Sequence, residues 1–346
     1  MQFSKSLVQW YLQNKRDLPW RKTSDPYAVW LSEIMLQQTR VAQGLPYFLK
    51  FTQAFPTVFD LANAHEEEVL KLWQGLGYYS RARNLHATAK HIAFELDGKF
   101  PHNYDGLTKL KGVGDYTAAA IASICYGEPV PVVDGNVYRV LSRYFGVETD
   151  ISSSPAKKEF RDLAASLLPK NQASEFNQAM MEFGALQCVP KSPDCAVCVF
   201  NAKCVALQTG RVGELPVKLK KTKVVNRYFN YLIINDGEGK SIVQKRTAKG
   251  IWYNLYEFPL IETDAVPDEH TIEDLIRQYK GYDLATAEIS PVHEDVIVHK
   301  LSHQHLYIRF WDVKTQDKIA GSMAYEAIKA LPFPIVIHNF MEKHWE

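Results

Sequence analysis

The sequence predicts a chain of two domains in different classes: an all-α domain over residues 1–210, a basic linker over 211–226 and an α+β domain over 227–346. Three observations carry this. Apolar residues recur at helical spacing up to about Gly210, and no alternating strand pattern occurs before Arg227. Four of the five cysteines gather between Cys188 and Cys204, at the end of the helical part. Beyond Arg227 the pattern becomes short apolar runs broken by Gly-rich turns. A chain of 346 residues is long enough for both cores.

The N-terminal stretch MQFSKSLVQWYLQNKRDLPWR lacks the apolar core and the small-residue cleavage site of a secretory signal. No apolar run is long enough to span a bilayer. An intracellular protein with no membrane partner is therefore expected. The formal net charge of +1 neither supports nor excludes nucleic acid, because a groove can be basic on a neutral molecule.

In DPYAVWLSEIMLQQTR, Asp25 is placed to cap a helix that starts at Pro26. Trp30, Leu31, Ile34 and Met35 then share one face. The segments HEEEVLKLWQGLG, RARNLHATAKHIAFEL and GNVYRVLSRYFG follow the same logic. LKGVGDYTAAAIAS reads as a helix end, a tight turn over Gly112 and Gly114, and a new helix. Such a turn points backbone N–H groups outward and favours phosphate. RVGELPVKLKKTKVVNR is a basic connector without a period. RYFNYLIIND, a Gly-rich turn and SIVQKR read as a β-hairpin. EDVIVHKLSHQHLYIRFWDV holds further strands, and HTIEDLIRQY and MAYEAIKAL read as helices.

The cysteines stand as C-x6-C-x2-C-x5-C at Cys188, Cys195, Cys198 and Cys204. In a reducing compartment such clustering points to metal, and four thiolates without histidine suit zinc or an iron–sulfur cluster. A loop with one C-x2-C pair fits a single cubane better than a two-knuckle zinc ribbon. Lys170, Lys191 and Lys203 lie near or within the loop, where they face either solvent or a phosphate backbone. Cys125 stands apart and reads as a small apolar residue.

Two carboxylates are candidates for chemistry. Glu33 lies in WLSEIML, and burial among Trp30, Ile34 and Leu36 would raise its pKa and let it donate a proton. Asp134 follows the apolar run VPVV; it is placed to cap the next helix or to stabilise a developing cation. One acid and one anion are what cleavage of a glycosidic bond requires. Asn136 is close enough to bond a neighbour. In GLGYYSRARN, Arg81 and Arg83 suit phosphates, and Tyr78 suits wedging between bases.

These pieces together resemble the endonuclease III (helix-hairpin-helix-GPD) superfamily. Within it, RDLPWR, WLSEIMLQQTR, GLGYYSRARNL, VDGNVYRVLSR and NQAMMEFGALQC are similar to the MutY family of adenine DNA glycosylases. The likeness covers nearly all of the first 210 residues. The second domain is similar to that family's C-terminal domain, which has a Nudix-like fold.

The resemblance implies a helix-hairpin-helix domain with a [4Fe–4S] cluster in loop 188–204, followed by a Nudix-like domain that recognises 8-oxoguanine. It implies a monomeric, DNA-associated cytoplasmic repair enzyme that acts on double-stranded DNA. The enzyme would release adenine mispaired with 8-oxoguanine or guanine and leave an abasic site. Glu33 matches the acid that protonates adenine N7, Asp134 the carboxylate that stabilises the sugar cation, and Tyr116 and Asn136 their supports. Arg16, Leu18, Trp20, Arg21 and Gln178 match positions around the extruded adenine. Gln38, Thr39 and Tyr78 match positions that fill the duplex or meet the lesion. Arg81, Gly112 and Gly114 belong to the expected DNA contacts. Ser302 and His303 match a lesion-recognising loop, in which Leu301 replaces the family's frequent Phe.

Two departures sharpen the expectation. Lyase members carry a Lys where this chain has Tyr116, so a bifunctional glycosylase/lyase of the endonuclease III type is the alternative that Tyr116 opposes. The Gly-x5-Glu-x7-Arg-Glu-x2-Glu-Glu motif of working Nudix pyrophosphatases does not occur between Arg227 and Glu346. A non-catalytic DNA-binding or redox protein on the same scaffold is opposed by the presence of both Glu33 and Asp134.

Overall fold

The structure is a computed structural model that describes residues 2–219 and 223–345. Its contacts divide into two compact units, Met1–Asn63 with Asn84–Lys221, and Ala64–Arg83 with Thr222–Glu346.

The first unit is helical. Its elements begin with α1 (Gln2–Asn14), a 3-10 turn at Pro19–Arg21, α2 (Pro26–Leu36), α3 (Val41–Ala54) and α4 (Val58–Asn63). α5 (Glu66–Leu72) lies in the other unit, and α6 (Ser80–Glu95) runs across the division in the chain. Then come α7 (Tyr104–Leu107), α8 (Asp115–Tyr126), α9 (Gly135–Phe145), α10 (Ser154–Leu167), α11 (Ala173–Leu186) and α12 (Val205–Gln208).

Local chemistry explains the ends. The Asp25 carboxylate accepts from Tyr27 N at 3.1 Å, and Pro26 opens α2, as the sequence leads one to expect. Trp30, Leu31, Ile34 and Met35 are all buried. α8 and α9 end on Gly127 and Gly146 in left-handed geometry. α1, α9, α10 and α11 bury Leu7, Leu141, Phe160, Phe176 and Met180 in one core, which Phe200 of the cysteine loop joins. There Phe3 stacks on Phe200 with ring centres 4.6 Å apart.

The connector 211–219 is tied down. Arg211 pairs with Glu148 and, at 2.8 Å, with Glu214. Ile151 N donates to Val217 O at 3.0 Å. Residues 220–222 of this connector lie outside the described residues.

The second unit is built on β1 (Val225–Asn235), flanked by antiparallel β4 (Leu260–Thr263) and parallel β7 (Gln304–Lys314). β5 (Glu288–Pro291) and β6 (Ile297–Lys300) both pair with β7. β2 (Gln244–Lys245) pairs with β3 (Tyr256–Glu257) as a separate ribbon. α13 (Glu269–Arg277) packs Ile272 and Ile276 against Leu232, Ile234, Trp311 and Val313. α14 (Tyr325–Ala330) and α15 (Ile335–His344) follow, and Phe340 of α15 stacks on Phe310 at 3.7 Å.

The expected hairpin of RYFNYLIIND with SIVQKR does not form. Both edges of β1 are already taken by β4 and β7, so only an isolated bridge joins Asn235 to Ser241. Gln244–Lys245 turns instead to Tyr256–Glu257. The expected helices in HTIEDLIRQY and MAYEAIKAL and the strands in EDVIVHKLSHQHLYIRFWDV are present.

Segment 64–83 belongs to this unit through polar bonds. Glu67 accepts from Lys245 Nζ at 2.9 Å and from the Tyr256 hydroxyl at 2.8 Å. Glu66 accepts from Asn254 at 2.6 Å, and Lys71 donates to the carbonyls of Lys329 and Leu331.

Candidate active site and cysteine loop

Glu33 sits on α2 and is only 7% exposed. The Tyr116 hydroxyl, in the first turn of α8, donates to its Oε2 at 2.6 Å. Burial is the main reason the Glu33 carboxyl is pushed up to about 7. The bond from Tyr116 and the charge of Arg21 oppose this, and the charge of Asp134 adds to it. The Tyr116 phenol is itself held well above its ordinary value by burial and by Glu33, so it stays protonated and donates.

Asp134 both caps a helix and joins the site. Its Oδ1 accepts from Val137 N at 2.8 Å at the start of α9, and its Oδ2 accepts from Asn136 Nδ2 at 2.8 Å. Burial raises this carboxyl, and the two bonds and the charge of Arg139 work against that rise. With two donors and a helix N-terminus, Asp134 is the better placed of the two carboxyls to carry charge; Glu33, with one donor, is the better placed to keep a proton. The approach to Asp134 is fixed by buried Asn177, which accepts from Val132 N at 3.1 Å and donates to Val130 O at 2.8 Å.

An open concavity of the first unit gathers Gln38, Gly114, Tyr116 and Asp134. The expected turn before α8 forms. Gly112 adopts φ +78, where an added Cβ would stand 2.8 Å from Asn84 Cβ. Gly114 caps α8 with open space around it. The exposed face of α10 also lines this concavity with Lys157, Lys158 and Arg161, which sequence reading did not single out. Lys158 is paired with Asp162 at 2.5 Å, and Arg161 lies over the Tyr104 ring.

The residues expected around a base divide by chemistry. Leu18 and Trp20 are buried, with Trp20 edge-on to Phe48 at 5.0 Å. Gln178 accepts from the Tyr11 hydroxyl at 3.1 Å. Arg16 and Arg21 both bond Glu182, a residue the sequence reading missed. A carboxylate inside the apolar stretch NQAMMEFGAL was the available signal.

Arg139, also missed, links the Asp134–Asn136 turn to the cysteine loop. Its guanidinium donates to Asn136 Oδ1 at 2.8 Å, Gly184 O at 2.6 Å and Cys188 O at 2.7 Å. One α9 turn later, Arg143 donates to Val189 O at 2.8 Å and Pro190 O at 3.0 Å, and approaches Cys188 Sγ at 3.4 Å.

All four loop cysteines line one small concavity, and none is in a disulfide. Among the described residues no group of three or more His, Cys, Asp or Glu side chains has the geometry to hold a metal ion. Burial first, then the neighbouring thiols, pushes Cys198 up to about 11 and raises Cys204 and Cys195. Four thiolates so close coexist only around a cationic centre. A shared cavity with an all-thiol donor set fits a cluster of several metal atoms. Cys125 is half-buried and pushed up to about 12, mainly by burial, which leaves it a neutral thiol.

In the second unit Tyr78 is 45% exposed with φ +48, a strained setting for an aromatic residue. Gln38, in the first unit, shares that left-handed geometry at φ +58 and is exposed, beside half-buried Thr39. Arg81 turns inward: its guanidinium donates to Leu76 O and Gly77 O and lies over Trp73. Arg83 donates to Tyr253 O at 2.7 Å. Ser302 and His303 form the exposed turn between β6 and β7, closed by Leu301 N on Gln304 O at 2.8 Å.

Residues 31–167 match the model of the HhH-GPD superfamily base excision DNA repair proteins, and residues 230–343 match the NUDIX domain. The adenine DNA glycosylase of Buchnera aphidicola subsp. Schizaphis graminum is 36% identical over 88% of this chain and 86% of its own. The chain belongs to the adenine DNA glycosylase family. The human adenine DNA glycosylase is 46% identical over 60% of this chain and 39% of its own. A thermostable thymine-DNA glycosylase superposes with a TM-score of 0.56 at 29% identity, over 60% of this chain and 95% of that one. Endonuclease III in a non-covalent DNA complex shares the fold, with a TM-score of 0.53.

This glycosylase is thus a base-excision repair enzyme with a helical helix-hairpin-helix domain followed by a Nudix-like domain. Its relatives and fold neighbours act on or bind DNA, and DNA is its partner. Among the described residues no helix is long and apolar enough to cross a membrane.

Proposed function

We propose that the enzyme hydrolyses the N-glycosidic bond of adenine mispaired with 8-oxoguanine or guanine, and leaves an intact strand with an abasic site. The observation that carries this reading is the buried Glu33 carboxyl at about 7, bonded by Tyr116 and coupled electrostatically to Asp134. A carboxyl near 7 is poised to give a proton at neutral pH.

The adenine must leave the stack to be reached. Leu18 and Trp20 supply apolar walls for it, and Arg16, Arg21 and Gln178 supply polar edges. Glu33 donates its proton to adenine N7. The bond between the sugar C1′ and N9 breaks, and its electron pair leaves with the base. Asp134 stabilises the sugar cation until water adds at C1′ and loses a proton. Tyr116 holds Glu33, and Asn136 holds Asp134. The phenol of Tyr116 offers no amine for a Schiff base, which supports a monofunctional enzyme over the lyase alternative.

Cys188, Cys195, Cys198 and Cys204 would hold a [4Fe–4S] cluster. When bound, it supplies a rigid anchor for loop 188–204, and no step of the hydrolysis passes through it. Residues 1–210 would carry the chemistry, 211–226 the connection, and 227–346 the recognition of 8-oxoguanine through Ser302 and His303. Gln38, Thr39 and Tyr78 would fill the duplex, with Gly112 and Gly114 on a phosphate; inward-turned Arg81 would brace the Tyr78 loop. A monomer acting inside the cell on its DNA completes the reading.

The test is a labelled duplex with one adenine opposite 8-oxoguanine, under single-turnover conditions. Free adenine and strand breaks are assayed separately, before alkali. Adenine release with an intact strand supports the reading. Direct nicking moves the enzyme to the lyase class, and no release sinks it. Ser302→Ala should weaken binding opposite 8-oxoguanine and leave binding opposite guanine unchanged.

A further inference from the structure

We propose that Glu182 is a positioning residue that clamps Arg16 and Arg21 beside the base pocket and, through Arg21, sets the charge felt by Glu33. The inference rests on the reading of Glu33 as the acid. Glu182 lies on α11, and its side chain is 1% exposed. Its Oε1 accepts from Arg16 N at 2.9 Å, Arg16 Nε at 2.9 Å and Arg21 Nη1 at 2.7 Å. Its Oε2 accepts from Arg16 Nη2 at 2.5 Å and Arg21 Nη2 at 2.7 Å. Arg21 also donates to Arg16 O at 3.2 Å, so the whole 16–21 turn is locked to one carboxylate. The Tyr11 ring packs 5.7 Å from the Arg21 guanidinium, and its hydroxyl bonds Gln178.

Such a five-bond, buried arrangement is costly to build and costly to break. Two guanidiniums against one carboxylate leave one positive charge in excess. That charge acts on Glu33 through Arg21. The other groups facing Glu33 are the Tyr116 hydroxyl from α8 and Asp134 from the start of α9. Those facing Glu182 are Arg16, Arg21 and Tyr11. Arg21 favours the ionised form of Glu33, and Glu182 tempers Arg21. Without the negative charge of Glu182, Glu33 meets a stronger positive field and gives up its proton to solvent at lower pH.

The test is the single-turnover rate of adenine release against pH from 5 to 9, for wild type, Glu182→Gln and Glu182→Asp. The alkaline limb of Glu182→Gln should move down by about half a pH unit or more, and its rate near pH 7.5 should fall severalfold but recover at acid pH. Glu182→Asp should keep the wild-type midpoint. Arg21→Met guards against a Glu182 variant that does not fold, and its limb should move the opposite way, to higher pH. An unchanged midpoint in Glu182→Gln or Arg21→Met, or a rate lowered equally at every pH, would overturn the inference alone. A wild type that releases no adenine at any pH would instead sink the proposed function.

Discussion

The hydroxyl of Tyr116 donates to Glu33 Oε2 at 2.6 Å, joining two residues 83 positions apart. The bond lowers the Glu33 carboxyl against the stronger, raising effect of burial. Tyr116→Phe should therefore raise it further and move the alkaline limb of the rate profile to higher pH. The pH dependence of single-turnover adenine release checks this; a limb that moves to lower pH would contradict it.

Glu33→Gln removes the donor and should cost about 10²-fold or more in rate. It should also stabilise the fold at high pH. Glu33 has a folded value near 7 against an ordinary 4.5, so its favourable contribution is complete below about 4.5 and is lost as pH rises through 7. That gap corresponds to about 3 kcal/mol. Thermal unfolding of Glu33→Gln against wild type should show a gain at pH 8 that disappears near pH 4.5.

Arg139 donates to Asn136, Gly184 and Cys188. Arg139→Gln leaves buried carbonyls unpaired and frees Asn136. A loss of about 2–4 kcal/mol in stability is expected, together with a lower rate. Denaturant unfolding and single-turnover kinetics on the same preparation check it. An intact rate would show that Asn136 is held by other means.

Gly184 marks a close approach of α11 and α9. An added Cβ would stand 2.6 Å from Asn136 Cβ and 3.0 Å from its Cα and O. Backbone cannot swing away as a side chain can. Gly184→Ala should cost about 1–3 kcal/mol and lower the rate by displacing Asn136 from Asp134. Gly213→Ala, with no atom within 4 Å of the added Cβ, is the control and should do neither.

Lys157 and Arg161 lie on the exposed face of α10, in the concavity that holds Tyr116 and Asp134. If they meet phosphate, each change to Ala should reduce the slope of log K against log salt by about 1. Single-turnover rates at saturating enzyme should be unchanged. Binding titrations at several salt concentrations read both effects.

Much of this was legible in the sequence for a physical reason. Asp25, Pro26 and the apolar face of α2 act within one or two turns, so local pattern revealed them. The C-x6-C-x2-C-x5-C loop is short enough to close on itself, and its spacing alone announced a shared site. Glu33 stood out because a carboxylate among apolar neighbours is costly unless it is used.

Other features depended on partners far along the chain. Arg139 looks like any helix surface Arg until α11 and the cysteine loop arrive with two carbonyl acceptors, Gly184 O and Cys188 O. Glu182 is a carboxylate in an apolar stretch, but its partners come into view only when residues 16–21 fold onto it. The hairpin expected after β1 failed because β7, some 80 residues away, occupies the edge that the local pattern had assigned to its neighbour. Segment 64–83 reads as one more helix of the first domain, yet Glu66, Glu67 and Lys71 bond the second unit. The sequence by itself determined the class of each half, the cysteine loop and the two carboxylates, since these follow from periodicity, spacing and residue type. Only the tertiary structure decided which hydroxyl and which cations surround those carboxylates, because burial and long-range hydrogen bonding are properties of the packed chain.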